Sequence, residues 1–527
     1  MTDPMESHAE VTARDDAHVR SLGIKPELQR RLGFLSNFAV AFSYISVSTG
    51  TYTLIAIGLG LGGPAFFWSW PLVVLGQTFV ALNFAELASH FPIAGSIYQW
   101  TKRLSHKTLG WFTGWFYFWA GALTVSAVAA TVPLVLSSIY GFKLSDPAPF
   151  GPTNNLVFWT LVSLVTSTLI NAYGIRLLQI VNNVGVAAEI LGMVVFAVIL
   201  LIVGRHQDLS ILTTTAGVET PETGGYLPVF AVAMFMSLFV VYGFDTAGTF
   251  GEETVDASRQ APKGILTAIW VSGAIGAIFL LAIILATKDM TAAFKDPSPI
   301  STAIKDGLGE TWGNLYLYVI LVAVYVCTTA IQGATARLMF SMGRDRRLPL
   351  GSLWGRVSPT FKTPANAAVA VGVLAAIPLF ITDSPAILAT SATGLIYLSY
   401  LMCNIGVLVA RVRGWPHQGA WFKLGSWGTV INVVAIIYGA VMTVNFALWK
   451  TPVWGNFGTS LRDVTNPSLT IVTSGGKPIS FLPDVPFFEG TVLLILVGGL
   501  IYYFATGQAS KVDKVEADLV TGEAVIG

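Results

Sequence analysis

The sequence predicts an all-α membrane protein with twelve transmembrane helices, and two observations carry that prediction. Of the 527 residues, 54% are hydrophobic and 11% are charged, and the mean hydropathy is +0.67. A soluble chain carries about 25% charged residues. The apolar residues form twelve segments, each long enough to supply the roughly 20 residues with which a helix crosses the hydrocarbon core. The net charge of +1 gives no sign of nucleic-acid binding.

The apolar segments place the transmembrane helices in chain order. They are predicted at 36–60, 64–88, 110–140, 155–174, 178–203, 226–255, 264–286, 313–343, 365–382, 386–410, 427–449 and 487–506. The first polar stretch lacks the apolar core of a signal peptide, so it is predicted to be a cytoplasmic tail. The predicted units are this N-terminal tail (1–35), a core (36–410), helices eleven and twelve (427–506) with an extracellular loop (450–486), and a cytoplasmic C-terminal tail (507–527).

Positive charge predicts the orientation of the chain. Of the 30 Lys and Arg residues, 21 fall in the two tails and the even-numbered connections, eight fall in the odd-numbered connections, and Arg337 lies inside helix eight. Positive residues are retained on the cytoplasmic side. Both termini are therefore predicted to be cytoplasmic, in the plasma membrane, or in the inner membrane if the source is bacterial.

Two of the predicted helices are interrupted by small and polar residues. Helix one contains Ser46-Val47-Ser48-Thr49-Gly50-Thr51, and helix six contains Tyr242-Gly243-Phe244-Asp245-Thr246-Ala247-Gly248. Four complete spans separate the two, so a repeat of five helices would enter the membrane from opposite faces. Paired interruptions in two inverted halves indicate the substrate site of a transporter. We therefore predict a 5+5 inverted repeat, with halves 36–203 and 226–410, followed by two extra helices.

Three separated motifs resemble those of amino acid permeases in the amino acid-polyamine-organocation superfamily. They are Tyr242-Gly243-Phe244-Asp245 with Gly251-Glu252-Glu253-Thr254 and Arg259-Gln260-Ala261-Pro262, then Ala85-Glu86-Leu87-Ala88 with Pro92 and Ala94-Gly95-Ser96, and Arg337 with Gly343-Arg344-Asp345 and Leu348-Pro349. Ser96 and Arg346-Arg347 replace glycines that are usual in the family, which points to a divergent branch such as the one with GABA and choline-like permeases. The resemblance implies that helices one and six are each broken around a central site.

The interruptions also predict how a zwitterion would bind. A broken helix exposes amide N–H groups where its second half begins and carbonyl groups where its first half ends. We expect backbone of the run Ser48, Thr49, Gly50 and Thr51 to hold a carboxylate. Carbonyls near Val241, Tyr242 and Gly243 would then hold an amine. Close helix packing by small residues is the alternative reading of the helix-one run.

Side chains beside the interruptions are further candidates for substrate contact. The rings of Tyr242 and Phe244 are predicted to close over the substrate or stack on a cation. Tyr117 and Ser126 of helix three are predicted to read the substrate side chain. Asp245 has two interpretations: it contacts a cationic substrate, or it caps the second half of helix six.

Glu189, Thr328 and Thr329 are the candidates for ion coupling. A glutamate near the middle of helix five suits a group that takes up and releases a proton, and the alternative is a hydrogen-bonded residue that holds helix five against helices one and eight. The two threonines offer hard oxygen ligands to a sodium ion, although threonine also bonds its own helix backbone. We interpret Arg337 as reaching the interface by snorkelling, with a gate as the alternative.

These observations predict a secondary active transporter that imports an amino acid or an amino acid-derived amine by alternating access, coupled to a proton or sodium gradient. An exchanger is the alternative. A membrane-embedded enzyme is disfavoured because the six histidines all fall in tails or connections, and a channel because no continuous polar lining is evident. No cofactor or metal site is expected, and the expected partners are the substrate and the lipid bilayer. The oligomeric state stays open.

Overall fold

The structure is a computed structural model, and it describes residues 7–219, 224–382, 384–416, 420–447, 470–472, 478–480 and 487–508. Among these residues, ten helices are long and apolar enough to cross a membrane. Two shorter apolar helices, Tyr226–Val240 and Ala365–Phe380, occupy the positions predicted for helices six and nine. The prediction of an all-α membrane protein is confirmed.

The described residues form twenty α-helices. The first nine are α1 (His8–Ser21), α2 (Phe34–Ile45), α3 (Val47–Gly62), α4 (Ser69–His90), α5 (Ser96–Leu104), α6 (Lys107–Ala129), α7 (Thr131–Tyr140), α8 (Asn155–Ala172) and α9 (Ile175–Val203). The others are α10 (Tyr226–Ala233), α11 (Phe235–Val240), α12 (Thr246–Thr249), α13 (Ala257–Ala286), α14 (Met290–Ala293), α15 (Pro299–Arg344), α16 (Gly351–Trp354), α17 (Ala365–Ala376), α18 (Pro385–Val412), α19 (Gly428–Ala447) and α20 (Phe487–Ala505).

Short elements complete the described chain. The 3-10 helices are Pro64–Trp68, Leu209–Thr213, Gly251–Glu253, Ile377–Phe380 and Gly425–Trp427. Two strands, Thr470–Val472 and Pro478–Ser480, pair antiparallel. They are the described part of the loop predicted at 450–486, most of which lies outside the described residues, as does the C-terminal tail beyond residue 508.

Transmembrane helix one consists of α2 and α3, which are separated at Ser46. This residue has φ +28° and ψ 89°, so the helix cannot continue through it. The two halves form the most enclosed of the ten long spans, because 94% of the most apolar stretch of Phe34–Gly62 is buried. The corresponding share is 28% for Ile175–Val203, for Gly425–Ala447 and for Phe488–Ala505. Helix one is therefore central, and these three helices are each covered on one side only.

Transmembrane helix six is broken more extensively than the predicted span 226–255 implies. It consists of α10 and α11, an unwound segment at 241–245, the single turn α12 and the 3-10 turn Gly251–Glu253. Gly243 has φ +87° in the unwound segment, a conformation that only glycine adopts easily. Around these two helices, α6 packs on α18, α4 on α13, and α9 on α15.

Candidate substrate site

The interruptions of helices one and six lie against each other in the interior. A Cβ atom added to Gly50 would lie 2.7 Å from Cγ2 of Val240, the last residue of α11. A Cβ atom added to Gly243 would lie 2.0 Å from Cδ1 of Tyr44 in α2. Both glycines are therefore needed for the close approach of the two chains. The predicted helix-one and helix-six residues come together in one buried place.

On the helix-one side, the first amides of α3 have no acceptor within their own helix. The first intrahelical bond runs from Gly50 N–H to Ser46 O at 3.1 Å, so the amides of Val47, Ser48 and Thr49 precede the hydrogen-bonded ladder. The Ser46 hydroxyl lies 2.6 Å from the Thr49 hydroxyl. Such a helix start is suited to an anion, as predicted for the substrate carboxylate. Thr51 is buried one residue further along.

On the helix-six side, the carbonyl groups differ in their availability. Gly243 O accepts a 3.0 Å hydrogen bond from Thr246 N–H, so only one of its two lone pairs stays available for the predicted contact with the substrate amine. Among the described residues, we find no donor to the carbonyl oxygens of Val241 and Tyr242, which are both buried. These two groups therefore fit the predicted amine contact.

Asp245 is buried and accepts hydrogen bonds from three hydroxyl groups. Its Oδ2 accepts from Tyr117 at 2.7 Å and from Ser96 at 3.1 Å, and its Oδ1 accepts from Tyr400 at 2.5 Å. It makes no side-chain bond to the amides of α12. The interpretation of Asp245 as a helix cap is therefore wrong, because donors from three other helices take its oxygens. Tyr117 of helix three therefore contacts helix six through Asp245, and its contact with a substrate side chain stays a prediction.

Tyr400 of α18 belongs to this site, although the sequence did not predict it. Besides donating to Asp245, its hydroxyl accepts a 3.0 Å hydrogen bond from Gly243 N–H. It lies in an uninterrupted apolar helix outside the three motifs, so no local signal marked it. The Thr124 hydroxyl was also missed, and it lies 3.2 Å from the hydroxyl of Tyr242.

The other predicted side-chain readers have different surroundings. Phe244 is fully buried, and its ring centroid lies 5.6 Å from that of Tyr400 and 6.1 Å from that of Phe84. Ser126 follows Tyr117 by about two and a half turns of α6, so it lies on the opposite face of that helix. Its buried hydroxyl has no partner among the described residues. The structure therefore does not bring Ser126 to the same face as Tyr117.

Glu189 of α9 contacts the helix-one interruption directly. Its Oε1 accepts hydrogen bonds from the hydroxyls of Ser46 and Ser48, both at 2.8 Å. The side chain is 1% exposed. This geometry fits both interpretations of Glu189. The bonds hold helix five against helix one, and they also join a carboxyl group to the start of α3, which is predicted to hold the substrate carboxylate.

Thr328 and Thr329 are buried in α15, and each donates to the backbone of its own helix. Thr328 donates to Val324 O and Thr329 to Tyr325 O, both at 2.9 Å. These bonds agree with the alternative given above, in which each threonine bonds the backbone of its own helix. Because a hydroxyl that donates one bond still carries acceptor lone pairs, the bonds do not prevent contact with a cation.

Arg337 does not snorkel to an interface, because it is 1% exposed and held inside the protein. Its guanidinium forms a bidentate ion pair with Glu253, including Nη2 to Oε1 at 2.8 Å, and lies 3.8 Å from the ring centroid of Phe250. Arg344 pairs in the same way with Glu252, at 2.9 and 3.0 Å. Because Glu253 neutralises the Arg337 charge inside the protein, the Arg337 side chain does not have to reach water.

A third ion pair lies beyond the end of α15. Lys102 Nζ lies 2.8 Å from Oδ2 of Asp345. Burial raises the pKa of Asp345, but the charges of Lys102 and Arg344 outweigh burial and hold the pKa below its ordinary value. Asp345 is therefore ionised at neutral pH and binds helix eight to the connection that contains α5.

The fold and this site define a multi-pass membrane protein in which two interrupted helices enclose polar groups at the centre of the bundle. The chain belongs to the amino acid permease family, whose model matches residues 32–468. It is 28% identical to the amino-acid permease BAT1 of Arabidopsis thaliana, over 84% of this chain and 90% of that protein. A BAT1 homolog of Oryza sativa is also 28% identical, over 82% and 87% of the two chains.

A third relative is named as a putative amino acid/polyamine transporter of Macrophomina phaseolina. It is 25% identical, over 73% of this chain and 88% of its own length. The family assignment confirms the resemblance drawn from the motifs and identifies the chain as a permease and not an enzyme. Membership of the GABA and choline-like branch stays a prediction.

Proposed function

We propose that this protein is a secondary active transporter that imports an amino acid or an amino acid-derived amine across the plasma membrane by alternating access. The observation that carries this proposal is the contact between the two interruptions, at Gly50 with Val240 and at Gly243 with Tyr44. The α3 amides would hold the substrate carboxylate, and the carbonyls of Val241 and Tyr242 would hold its amine. The family assignment supports amino acid transport.

The proposed topology has twelve spans, an inverted repeat of five helices and two cytoplasmic termini. The ten long apolar helices and the two short ones support the number of spans. The excess of Lys and Arg in the tails and the even-numbered connections supports the orientation. Protease access to tags at both termini in inside-out vesicles, with protection in right-side-out vesicles, tests it.

The substitution Gly50→Leu tests the site. Because a Cβ atom there already meets Val240, we expect a leucine to separate the two interruptions and to abolish uptake into liposomes, with membrane insertion retained. Gly498→Leu is the matched control, since nothing lies within 4 Å of a Cβ atom at that exposed glycine of α20. Normal uptake by Gly50→Leu would remove helix one from the site.

We propose Glu189 as the group that couples transport to a proton gradient. It accepts hydrogen bonds from Ser46 and Ser48 at the start of α3, where we propose that the substrate carboxylate binds. A change in the protonation of Glu189 would therefore change these bonds and the shape of the substrate site. Glu189→Gln is therefore expected to retain binding but lose the dependence of uptake on an imposed pH gradient. A pH dependence equal to that of the unaltered protein would reduce Glu189 to a packing role.

A sodium-coupled cycle is the second candidate, with Thr328 and Thr329 as ligands. It predicts that an imposed sodium gradient drives uptake and that Thr328→Val with Thr329→Val abolishes this effect. The exchanger alternative predicts that uptake requires substrate inside the liposome and is indifferent to both gradients. One transport experiment with three conditions (a pH gradient, a sodium gradient, and preloaded amino acid) separates these possibilities.

A further inference from the structure

A cluster of positive and aromatic side chains lies where two transmembrane helices begin, away from the substrate site. Arg259 and Lys263 occupy successive turns at the start of α13, and Trp421 precedes α19. The ring centroid of Trp421 lies 5.6 Å from the Arg259 guanidinium carbon and 5.0 Å from Lys263 Nζ. Both cations therefore lie within cation–π distance of the Trp421 ring.

This arrangement places two like charges together. Positive residues four apart on one face of a helix repel each other. The ring attracts each cation but carries no net charge. Among the described residues, Lys263 makes no ion pair, so no carboxylate of the described chain neutralises its charge. An anion beside the ring would relieve the repulsion.

Two acidic residues of the described segments that adjoin this cluster have partners of their own. Glu86 is buried, pairs with Arg411 and accepts a 2.9 Å hydrogen bond from Leu424 N–H. Asp256 pairs with Arg14 at 3.0 Å. Lys423 adds a further exposed positive charge two residues after Trp421.

The segment that carries Trp421 is fixed in place. Phe422 N–H donates to the Ser89 hydroxyl at 3.0 Å, and this hydroxyl donates to Ser258 O at 2.8 Å, next to Arg259. One serine of α4 thus connects the ring to the helix turn that carries the cations. These bonds fix the backbone beside Trp421 relative to the backbone beside Arg259.

The surroundings of the cluster are those of a membrane interface. Trp421 is 49% exposed and Trp427 is 68% exposed, and both lie just before the apolar span Gly425–Ala447 or at its start. Exposed tryptophans at helix ends lie at the level of the lipid headgroups. Basic residues at the same depth attract anionic headgroups.

We propose that Arg259, Lys263 and Trp421 form a binding site for the headgroup of an anionic phospholipid. The phosphate would lie between the two cations, and Trp421 and Trp427 would pack against the glycerol and upper acyl region. The site lies at the ends of α13 and α19 that we propose to be cytoplasmic. It does not depend on which substrate the transporter carries.

Native mass spectrometry of the purified full-length protein tests the site. The protein is stripped of lipid in detergent and then offered phosphatidylglycerol or phosphatidylcholine with identical acyl chains. We expect preferential retention of phosphatidylglycerol, and a loss of about fivefold for each charge removed in Arg259→Gln with Lys263→Gln. Arg176→Gln with Lys362→Gln is the matched control, because it removes two exposed charges without an adjacent tryptophan.

The single variants keep the test decisive if the double variant does not fold. Lys263→Gln and Trp421→Leu are each expected to lower retention of phosphatidylglycerol while leaving that of phosphatidylcholine unchanged. Equal retention of the two lipids by the unaltered protein, or undiminished retention by both single variants, overturns the proposal. Displacement of the lipid by inorganic phosphate at equal concentration also overturns it, since that outcome identifies a site for a soluble anion.

Discussion

Asp245 illustrates how one carboxyl group is accommodated inside a membrane protein. Burial takes away the hydrogen bonds that water would supply, and an unpaired carboxyl group at this depth would be costly. Three hydroxyl donors, from Ser96, Tyr117 and Tyr400, replace them. Tyr400 also accepts the Gly243 amide, so a single hydroxyl satisfies both the carboxyl group and the unwound backbone.

The substitution Tyr400→Phe is therefore expected to be costly. It leaves the buried Gly243 N–H without an acceptor and removes one donor from Asp245, at a cost of about 1–3 kcal/mol in stability. Uptake should fall because the helix-six interruption loses its anchor. The measurement is the melting temperature in detergent together with uptake into liposomes.

Tyr397→Phe provides the matched control for this prediction. Tyr397 lies one turn earlier in α18 and is equally buried, but its hydroxyl contacts Tyr438 at 3.4 Å and bonds neither Asp245 nor the unwound backbone. A smaller loss of stability and of uptake is expected. If the two variants behave alike, the bonds of Tyr400 have no special role.

At the level of elements, helix eight is joined to the exit of helix six by two adjacent ion pairs. Glu252 and Glu253 lie on the 3-10 turn Gly251–Glu253, and Arg337 and Arg344 lie about two turns apart on one face of α15. Glu252 also accepts the Ala94 amide at 3.0 Å, which adds the connection after α4. Movement of either helix during transport would have to break or carry these pairs.

We expect Glu253→Gln to destabilise the protein by about 3–5 kcal/mol, because it leaves the Arg337 charge buried without its counter-ion. A double variant, Glu253→Met with Arg337→Met, should be less destabilised than the single one, since it removes both charges. Thermal unfolding in detergent measures both effects.

Asp208→Asn is the control for the buried pair. It removes the partner of Arg205, but these side chains are 90% and 42% exposed. We expect a change of about 0–1 kcal/mol. A loss as large as that of Glu253→Gln would show that burial does not set the cost.

At the level of the whole molecule, the N-terminal tail forms part of the folded structure. Arg30 Nη1 donates to the carbonyls of Gly251 and Thr254, at 3.1 and 2.8 Å, and Arg30 Nε donates to Asp16 of α1 at 2.9 Å. Leu32 N–H donates to Glu253 O at 2.9 Å. The tail thus covers the end of the bundle at which helix six leaves the core.

The substitution Arg30→Gln is expected to loosen α1. It removes the ion pair with Asp16 and the charged donor to two carbonyls, so hydrogen exchange of the amides of His8–Ser21 should become faster. Lys25→Gln is the control, because Lys25 is 85% exposed and its contact with Glu27 is 3.8 Å long. Unchanged exchange in Arg30→Gln would mean that other contacts hold the tail.

The pH dependence of this docking follows from Asp15. Burial raises the pKa of Asp15 above its ordinary value, although the nearby Arg30 charge offsets part of the effect. Asp15 therefore binds its proton more tightly in the docked tail than in a free one. Docking is favoured as the pH falls through the raised pKa and weakens as the pH rises through it.

Much of the architecture was predictable because hydropathy acts locally along the chain. Each crossing helix must satisfy its own backbone in hydrocarbon, so about 20 apolar residues in sequence mark a span. The interruption at 46–51 and the unwound segment beside Gly243 were predictable for the same reason, since small residues and glycine weaken a helix where they occur. The capping box of Ser7 and Glu10 also marks α1, although α1 was not predicted.

The sequence by itself thus determined the all-α membrane class, the positions of the spans and the two places where helices break. Only the tertiary structure decided which side chains meet there: the pairing of Asp245 with Tyr400, the burial of Arg337 beside Glu253, and the position of Ser126 on the far face of its helix. These contacts join residues that are distant along the chain. A hydrogen bond or an ion pair depends on the distance between two groups in space, and the local sequence around one residue does not specify which distant residue it will contact.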